Sequence, residues 1–185
     1  MSWLFIASPL VWLIGPVRHA VEASMFSHMV LQLPMLVLAG LLTGRRLRGP
    51  IANRIAAIDA FGLTSVLMIS TVSLAWMIPA ALDLTLVSSP VNLLKYVSLW
   101  SAGFLLGTAL RRLTLGVETF LVGNLVWMLA TAGLLYIDAT TRLCVNYLFD
   151  EQRVSGLGLL ALAAALGLRL MARWHDSSHA VRSRS

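Results

Sequence analysis

The segment 19–44 carries the side chains whose chemistry is hardest to reconcile with an apolar helix. At 100° per residue, five polar or sulfur-bearing side chains of this segment fall within about a third of the helix circumference. They are Glu22, Met25, His28, Met29 and Gln32. Lipid would leave the carboxylate, the imidazole and the carboxamide without hydrogen-bond partners. We therefore expect this stripe to face protein or a wet cavity.

Two interpretations of the stripe are open. The first is a soft-metal site, for which copper is the metal that thioether and imidazole ligands favour. Met25, His28 and Met29 are spaced i, i+3 and i+4, so one ion could reach all three, or could use Glu22, Met25 and Met29 instead. His19 can join them only if the helix begins after it. The second interpretation is a packing seam in which polar side chains hydrogen-bond to neighbouring helices.

The composition identifies the environment of this chain. Of its 185 residues, 58% are hydrophobic and only 12% are charged, whereas soluble domains contain roughly 25% charged residues. We predict an all-α integral membrane protein, a single polytopic bundle of five or six transmembrane helices in a lipid bilayer. The net charge of +6 comes from arginines in short segments between apolar runs. That distribution is typical of membrane orientation signals and does not indicate nucleic-acid binding.

Six apolar runs are predicted to enter or cross the membrane: 3–17, 19–44, 55–81, 91–110, 114–137 and 155–171. The first run is short, because a full crossing needs ~20 residues, and this leaves five or six spans. Residues 172–185 are expected to form a basic cytoplasmic tail without fixed structure. The single cysteine, Cys144, excludes an intramolecular disulfide.

Arginine placement predicts the orientation of the bundle. The connections between runs two and three and between runs four and five, together with the C-terminus, hold most of the basic residues, and the positive-inside rule makes that side cytoplasmic. The stripe then lies near the outer surface, where three other helix ends deliver polar or metal-capable side chains. These are Trp76, Met77, Asp83, Asn92, Lys95, Tyr96, Asp138 and Cys144.

Two segments carry a resemblance to a known family. The sequence SMFSHM at 24–29, followed by LPMLVLAG at 33–40, resembles a signature of the CtaG-type cytochrome c oxidase assembly membrane proteins. In that family a helix reads roughly HMxxHM before a proline-containing apolar run. The sequence WMIPAALD at 76–83 is similar to the tryptophan–proline segment of the same family. This chain has Ser24 in place of the first histidine, and Asn92 and Lys95 where later histidines occur.

The resemblance implies a bacterial inner-membrane protein that helps to deliver copper to a haem–copper oxidase or another cuproenzyme. Met25, His28 and Met29 would be the carried-over ligands. The leading prediction is accordingly a membrane-embedded, copper-handling assembly factor that performs no turnover. Consistent with a protein that is not an enzyme, the chain has no GxSxG nucleophile motif and no glycine-rich phosphate loop.

Two other functions are weighed against copper handling. One is a structural accessory subunit that packs into a larger membrane complex without binding a metal. This would explain the polar seam and the missing histidines. The other is a small-molecule or proton pathway that uses Glu22, Asp83 and Lys95.

Overall fold

The computed structural model describes residues 15–144 and 147–182. All regular structure in these two ranges is helical. Eight α-helices are joined by loops, by a π-helical turn (Ser27–Gln32) and by a 3-10 turn (Ala60–Gly62). The α-helices are α1 (Gly15–Glu22), α2 (Leu33–Arg46), α3 (Pro50–Ile58), α4 (Leu63–Trp76), α5 (Pro79–Val87), α6 (Ser89–Ala109), α7 (Leu115–Asp138) and α8 (Phe149–Arg182).

Three helical segments are each long and apolar enough to cross a membrane: Ser27–Arg46, Leu115–Asp138 and Phe149–His179. Helices α3 and α4 make a fourth candidate, bent by 80°. An all-helical bundle that suits a bilayer is therefore confirmed, with three to four candidate spans in the described ranges, and the count of five or six stays a prediction. Runs 91–110 and 114–137 correspond to helices α6 and α7, of which α7 is a candidate span and α6 is not, so a crossing by run 91–110 stays a prediction. Run 3–17 lies outside the described residues except for its last three positions.

The second run was predicted as one apolar segment over 19–44. In the structure it is not one continuous helix. Helix α1 ends at Glu22, and the candidate span begins at the π-helical turn. The Ser27 hydroxyl lies within hydrogen-bonding distance of the carbonyl oxygens of Val21 and Ser24, and its one proton satisfies a carbonyl that the broken helix leaves free. Pro34 has no N–H for the Val30 carbonyl, and its ring crowds that carbonyl. These two effects favour the widened turn.

The third run is also interrupted, where a helix over 55–81 was predicted. The Asp59 carboxylate accepts a 2.5 Å hydrogen bond from the Ser65 hydroxyl and a 2.9 Å bond from a backbone N–H at the start of α4. It thus satisfies donors that the helix itself leaves unpaired. Phe61 and Gly62 have φ of 58° and 77°, and they redirect the chain between α3 and α4. Pro79 starts α5 after a residue in extended conformation.

The most extensive helix contact joins α2 and α6, which run in the same direction. Each helix contains a GxxxG motif, and together the two motifs form what we call the glycine seam: Gly40, Gly44, Gly103 and Gly107. A methyl group added at any of these positions would collide with the backbone of the facing helix. Small residues permit this approach, and the resulting van der Waals contact drives helix association in membranes.

Helices α7 and α8 pack along each other as a second pair. Helix α8 does not stop near residue 171, because residues 172–182 continue it in place of the predicted disordered tail. Two side-chain contacts attach this extension to α7. Arg173 forms a 2.9 Å ion pair with Glu118, and the Trp174 indole N–H donates to Thr119 over 2.9 Å.

Candidate functional site

Side chains from four separate parts of the chain meet around the ammonium group of Lys95. They come from α1, the π-helical turn, α6 and the segment between α7 and α8. We call them the Lys95 cluster: Arg18, Glu22, His28, Gln32, Lys95, Tyr96 and Tyr147. All of them except Arg18 are buried. Of the eight side chains that were predicted to gather near the stripe, Lys95 and Tyr96 belong to this cluster.

Lys95 is the only lysine of the chain, and its side chain is completely buried. Its Nζ lies 3.1 Å from Oε1 of Glu22, 2.9 Å from Nε2 of His28 and 3.3 Å from Oε1 of Gln32. An ammonium group has three N–H donors, so these contacts use all of them. Burying a cation costs several kcal/mol in lost hydration. The adjacent carboxylate and the full set of hydrogen bonds offset that cost.

The hydrogen bonds of Tyr147 determine the tautomer of His28. The Tyr147 hydroxyl lies 2.9 Å from the backbone carbonyl oxygen of Glu22, which can only accept a hydrogen bond. Its one proton is used there, so Nδ1 of His28, 2.7 Å from the same hydroxyl, must be the donor in that contact. The lone pair of Nε2 then accepts the bond from Lys95. His28 is thus assigned as a neutral ring with both nitrogens engaged.

Charged groups at the edge of the cluster complete its electrostatics. Arg18 forms a 2.8 Å ion pair with Oε2 of Glu22, so this carboxylate lies between two cations. The Glu151 carboxylate accepts a 3.3 Å hydrogen bond from the backbone N–H of Met25, at the start of the resumed helix. With Glu151 counted, two carboxylates accompany the two cations, which favours burial of the whole group.

The stripe predicted in segment 19–44 faces protein, as expected. Met25 and His28 are 0% exposed, and Met29 is 1% exposed. Glu22 and Gln32 are buried with them. His19 is exposed on α1 and is not among the side chains gathered around Lys95. The two methionines belong to the main hydrophobic core.

The donors at His28 do not fit a copper ion in this arrangement. Each ring nitrogen already has a protein partner, and the Lys95 ammonium occupies the position 2.9 Å from Nε2 where a metal ion would approach. In the described parts of the chain, no three side chains of His, Cys, Asp or Glu form a group that could hold a metal ion. Copper binding by His19, Glu22, Met25, His28 and Met29 stays a prediction.

Two ionisable side chains in the connection between α7 and α8 are kept neutral. Burial, with a smaller contribution from Asp83, raises the pKa of the Cys144 thiol to about 12. Burial also raises the pKa of Tyr147 above its usual range, with the nearby carboxylates acting in the same direction. Tyr147 therefore keeps the proton that it donates to Glu22, and Cys144 is a thiol, the weakly nucleophilic form, at neutral pH.

The most central group of the site, Lys95, was not among the predicted ligands, although the sequence contains a signal for it. An ionisable residue inside an apolar run is by default a functional or paired residue, and snorkelling to the surface is the competing explanation. The structure excludes snorkelling for Lys95. Tyr147 offers no comparable signal, since it lies 119 residues from His28 in the chain.

No family model, no curated protein and no solved structure matches this chain. The resemblance to the CtaG-type proteins therefore rests on the motif residues alone and stays a prediction.

Proposed function

We propose that this chain is a non-catalytic accessory subunit of a larger membrane protein complex, and that the Lys95 cluster stabilises its fold without binding a metal ion. One observation supports this above all others. The Lys95 ammonium donates its three hydrogen bonds to Glu22, His28 and Gln32, so the side chains best suited to chemistry are occupied by one another. A half-satisfied buried network would be costly, whereas a complete one gives rigidity and a unique packing.

The remainder of the bundle favours a structural role over conduction. Beyond Gln32, the contact between α2 and α6 contains buried Leu36, Leu99 and Ala102, followed by the glycine seam. Proton and substrate pathways need a chain of polar or wet positions across the membrane. The polar contacts of the Lys95 cluster are therefore local to one end of the bundle, which favours a structural role.

The outer face of α7 suits contact with other membrane helices. Phe120 and Trp127 are 62% and 74% exposed, and only 28% of the apolar part of α7 is buried within the chain. Gly116 and Gly123, seven residues apart, have open space where a side chain would stand. Small residues on an uncovered face allow a second helix to approach closely.

In this proposal the protein lies in a bacterial inner membrane with its C-terminus in the cytoplasm. Four arginines, Arg45, Arg46, Arg48 and Arg111, gather at the end of α2 and α6 opposite to Lys95. This asymmetry supports a cytoplasmic position for the arginine end and an outer position for the Lys95 cluster.

Site-specific photo-crosslinking in native membranes tests the proposal. A photoreactive residue at Phe120 or Trp127 should capture one partner protein in high yield, because these side chains would lie in the subunit interface. Leu67 on α4 and Leu93 on α6 are matched controls, since they are 58% and 54% exposed and belong to other helices. Equal, diffuse labelling at all four positions would contradict an interface on α7.

A second candidate, a copper-handling assembly factor for a haem–copper oxidase or other cuproenzyme, is favoured by one observation. Met25 and Met29 are buried next to His28 on the same helical segment, close to one end of the bundle. Binding would require His28 to exchange Lys95 or Tyr147 for the ion. Protein reconstituted with Cu(I) should then retain roughly one copper ion, and less after His28→Ala or after Met25→Leu with Met29→Leu. Wild-type protein that retains no copper would exclude this candidate.

A further inference from the structure

A cavity lies where α2 and α6 end, at the opposite end of these helices from Lys95. Its volume is about 430 Å³, within the range of ligand-binding pockets. The lining contains four arginines and one leucine: Leu42, Arg45, Arg46, Arg48 and Arg111. All four arginines are exposed, and none of the lining residues is acidic.

The glycine seam brings these arginines together. Three of them follow one another closely at the end of α2, and Arg111 follows the end of α6. Gly44 and Gly107 hold the two helices at backbone contact within a turn of these ends. Like charges that line one cavity repel one another, so an anion bound among these guanidinium groups would be stabilising.

Three of these arginines are not neutralised by carboxylates in the part of the chain that the structure describes. Arg18, Lys95, Arg112 and Arg173 form ion pairs with carboxylates outside the cavity. Arg45, Arg48 and Arg111 have no carboxylate partner within residues 15–144 and 147–182. Arg112, the immediate neighbour of Arg111, instead faces Asp59 at 3.8 Å.

We propose that this cavity binds a phosphate-bearing anion, with the head-group phosphate of an anionic phospholipid as its source at the membrane surface. The planar guanidinium group binds phosphate oxygens through two parallel hydrogen bonds. Basic pockets at the ends of membrane helices are typical sites for such head groups. Leu42 is the one apolar side chain in the lining, and it could contact the first carbons of an acyl chain. This site is independent of the accessory function proposed above.

Native mass spectrometry of the full chain in detergent, titrated with lipid, tests the proposal. The test variant is Arg45→Gln/Arg48→Gln/Arg111→Gln. The matched control is Arg142→Gln/Arg153→Gln/Arg169→Gln, which removes the same charge at exposed arginines outside the cavity. We expect the test variant to bind phosphatidylglycerol or cardiolipin at least about tenfold more weakly than wild type, and the control to stay close to wild type. Phosphatidylcholine, which has no net charge, should bind weakly to all three proteins.

A parallel titration with pyrophosphate, a soluble phosphate compound, identifies the source of the phosphate. If pyrophosphate binds as tightly as the lipid and depends on the same cavity arginines, the ligand is a free phosphate compound. That result would overturn the assignment to a lipid. If the test and control variants lose the same affinity for anionic lipid, the effect comes from overall charge. That result would overturn the proposed site. The single variant Arg111→Gln guards against misfolding of the triple variant, and it should show a smaller loss in the same direction.

Discussion

The two ends of the α2–α6 pair are held together in opposite ways. At one end, buried polar side chains of the Lys95 cluster bridge the helices through directional hydrogen bonds. Toward the other end, the glycine seam joins them backbone to backbone with no side chain in between. The first contact depends on which polar groups are present, and the second depends on the glycines having no side chains. Charge and hydrogen-bonding capacity therefore govern the first contact, and volume governs the second.

The largest effect is expected from removing the Lys95 ammonium. Lys95→Met should destabilise the protein by about 3–5 kcal/mol, because Glu22 loses one of its two cations and the acceptors of His28 and Gln32 are left unpaired. Thermal unfolding of the detergent-solubilised protein would measure this loss. Lys95→Arg is the informative companion, since a planar guanidinium cannot point three donors at the three acceptors, and it should rescue only part of the stability. A Lys95→Met protein as stable as wild type would show that the cluster has no structural role.

A substitution that adds side-chain volume in the glycine seam should disrupt the contact between α2 and α6. Gly103→Leu should cost about 3 kcal/mol, the upper end for overpacking, because its first carbon already collides with the carbonyl of Val37. Gly167→Leu in α8 is the control, because a Cβ atom added at Gly167 would have nothing within 4 Å. Unfolding temperatures of the two variants, measured side by side, provide the comparison. Similar losses at both positions would argue against close packing of α2 on α6.

A smaller loss is expected from one hydroxyl group at the edge of the Lys95 cluster. Tyr147→Phe removes the acceptor for Nδ1–H of His28 and the donor for the Glu22 carbonyl, at a cost of about 1–2 kcal/mol. The same substitution in a Lys95→Met background should cost less, because the network is already broken. Strict additivity of the two losses would mean that His28 does not couple Tyr147 to Lys95.

The smallest effect concerns the reactivity of Cys144, and it changes the stability of the fold only at alkaline pH. With a pKa of about 12, Cys144 should resist iodoacetamide at pH 8 in the folded protein and react readily in denaturant. The stability contributed by burying the neutral thiol should be present below pH 9 and lost as the pH rises through about 12. Thr141→Cys in a Cys144→Ser background supplies an exposed thiol on the same connection for comparison. Equal alkylation rates for the two thiols in the folded state would contradict burial of Cys144.

Sequence patterns predicted the helical class, helices α6 and α7, and the burial of the stripe from Glu22 to Gln32. They did not predict the interruptions of the second and third runs, because local effects at Pro34 and Asp59 outweigh continuous hydrophobicity. The two GxxxG motifs of the glycine seam are visible in the sequence, but a contact between them was not predicted. That the two motifs face each other depends on α2 and α6 running in the same direction, which spacing alone does not reveal.

What the sequence by itself determined is that His28 and its neighbours must be inside protein, since an imidazole, a carboxylate and a carboxamide on one helical stripe cannot face lipid. Only the tertiary structure decided what they meet there. Lys95 comes from a helix more than sixty residues away and Tyr147 from a loop still further along the chain. The long-range packing of α6 and the α7–α8 connection against the π-helical turn therefore gives these donors and acceptors their partners.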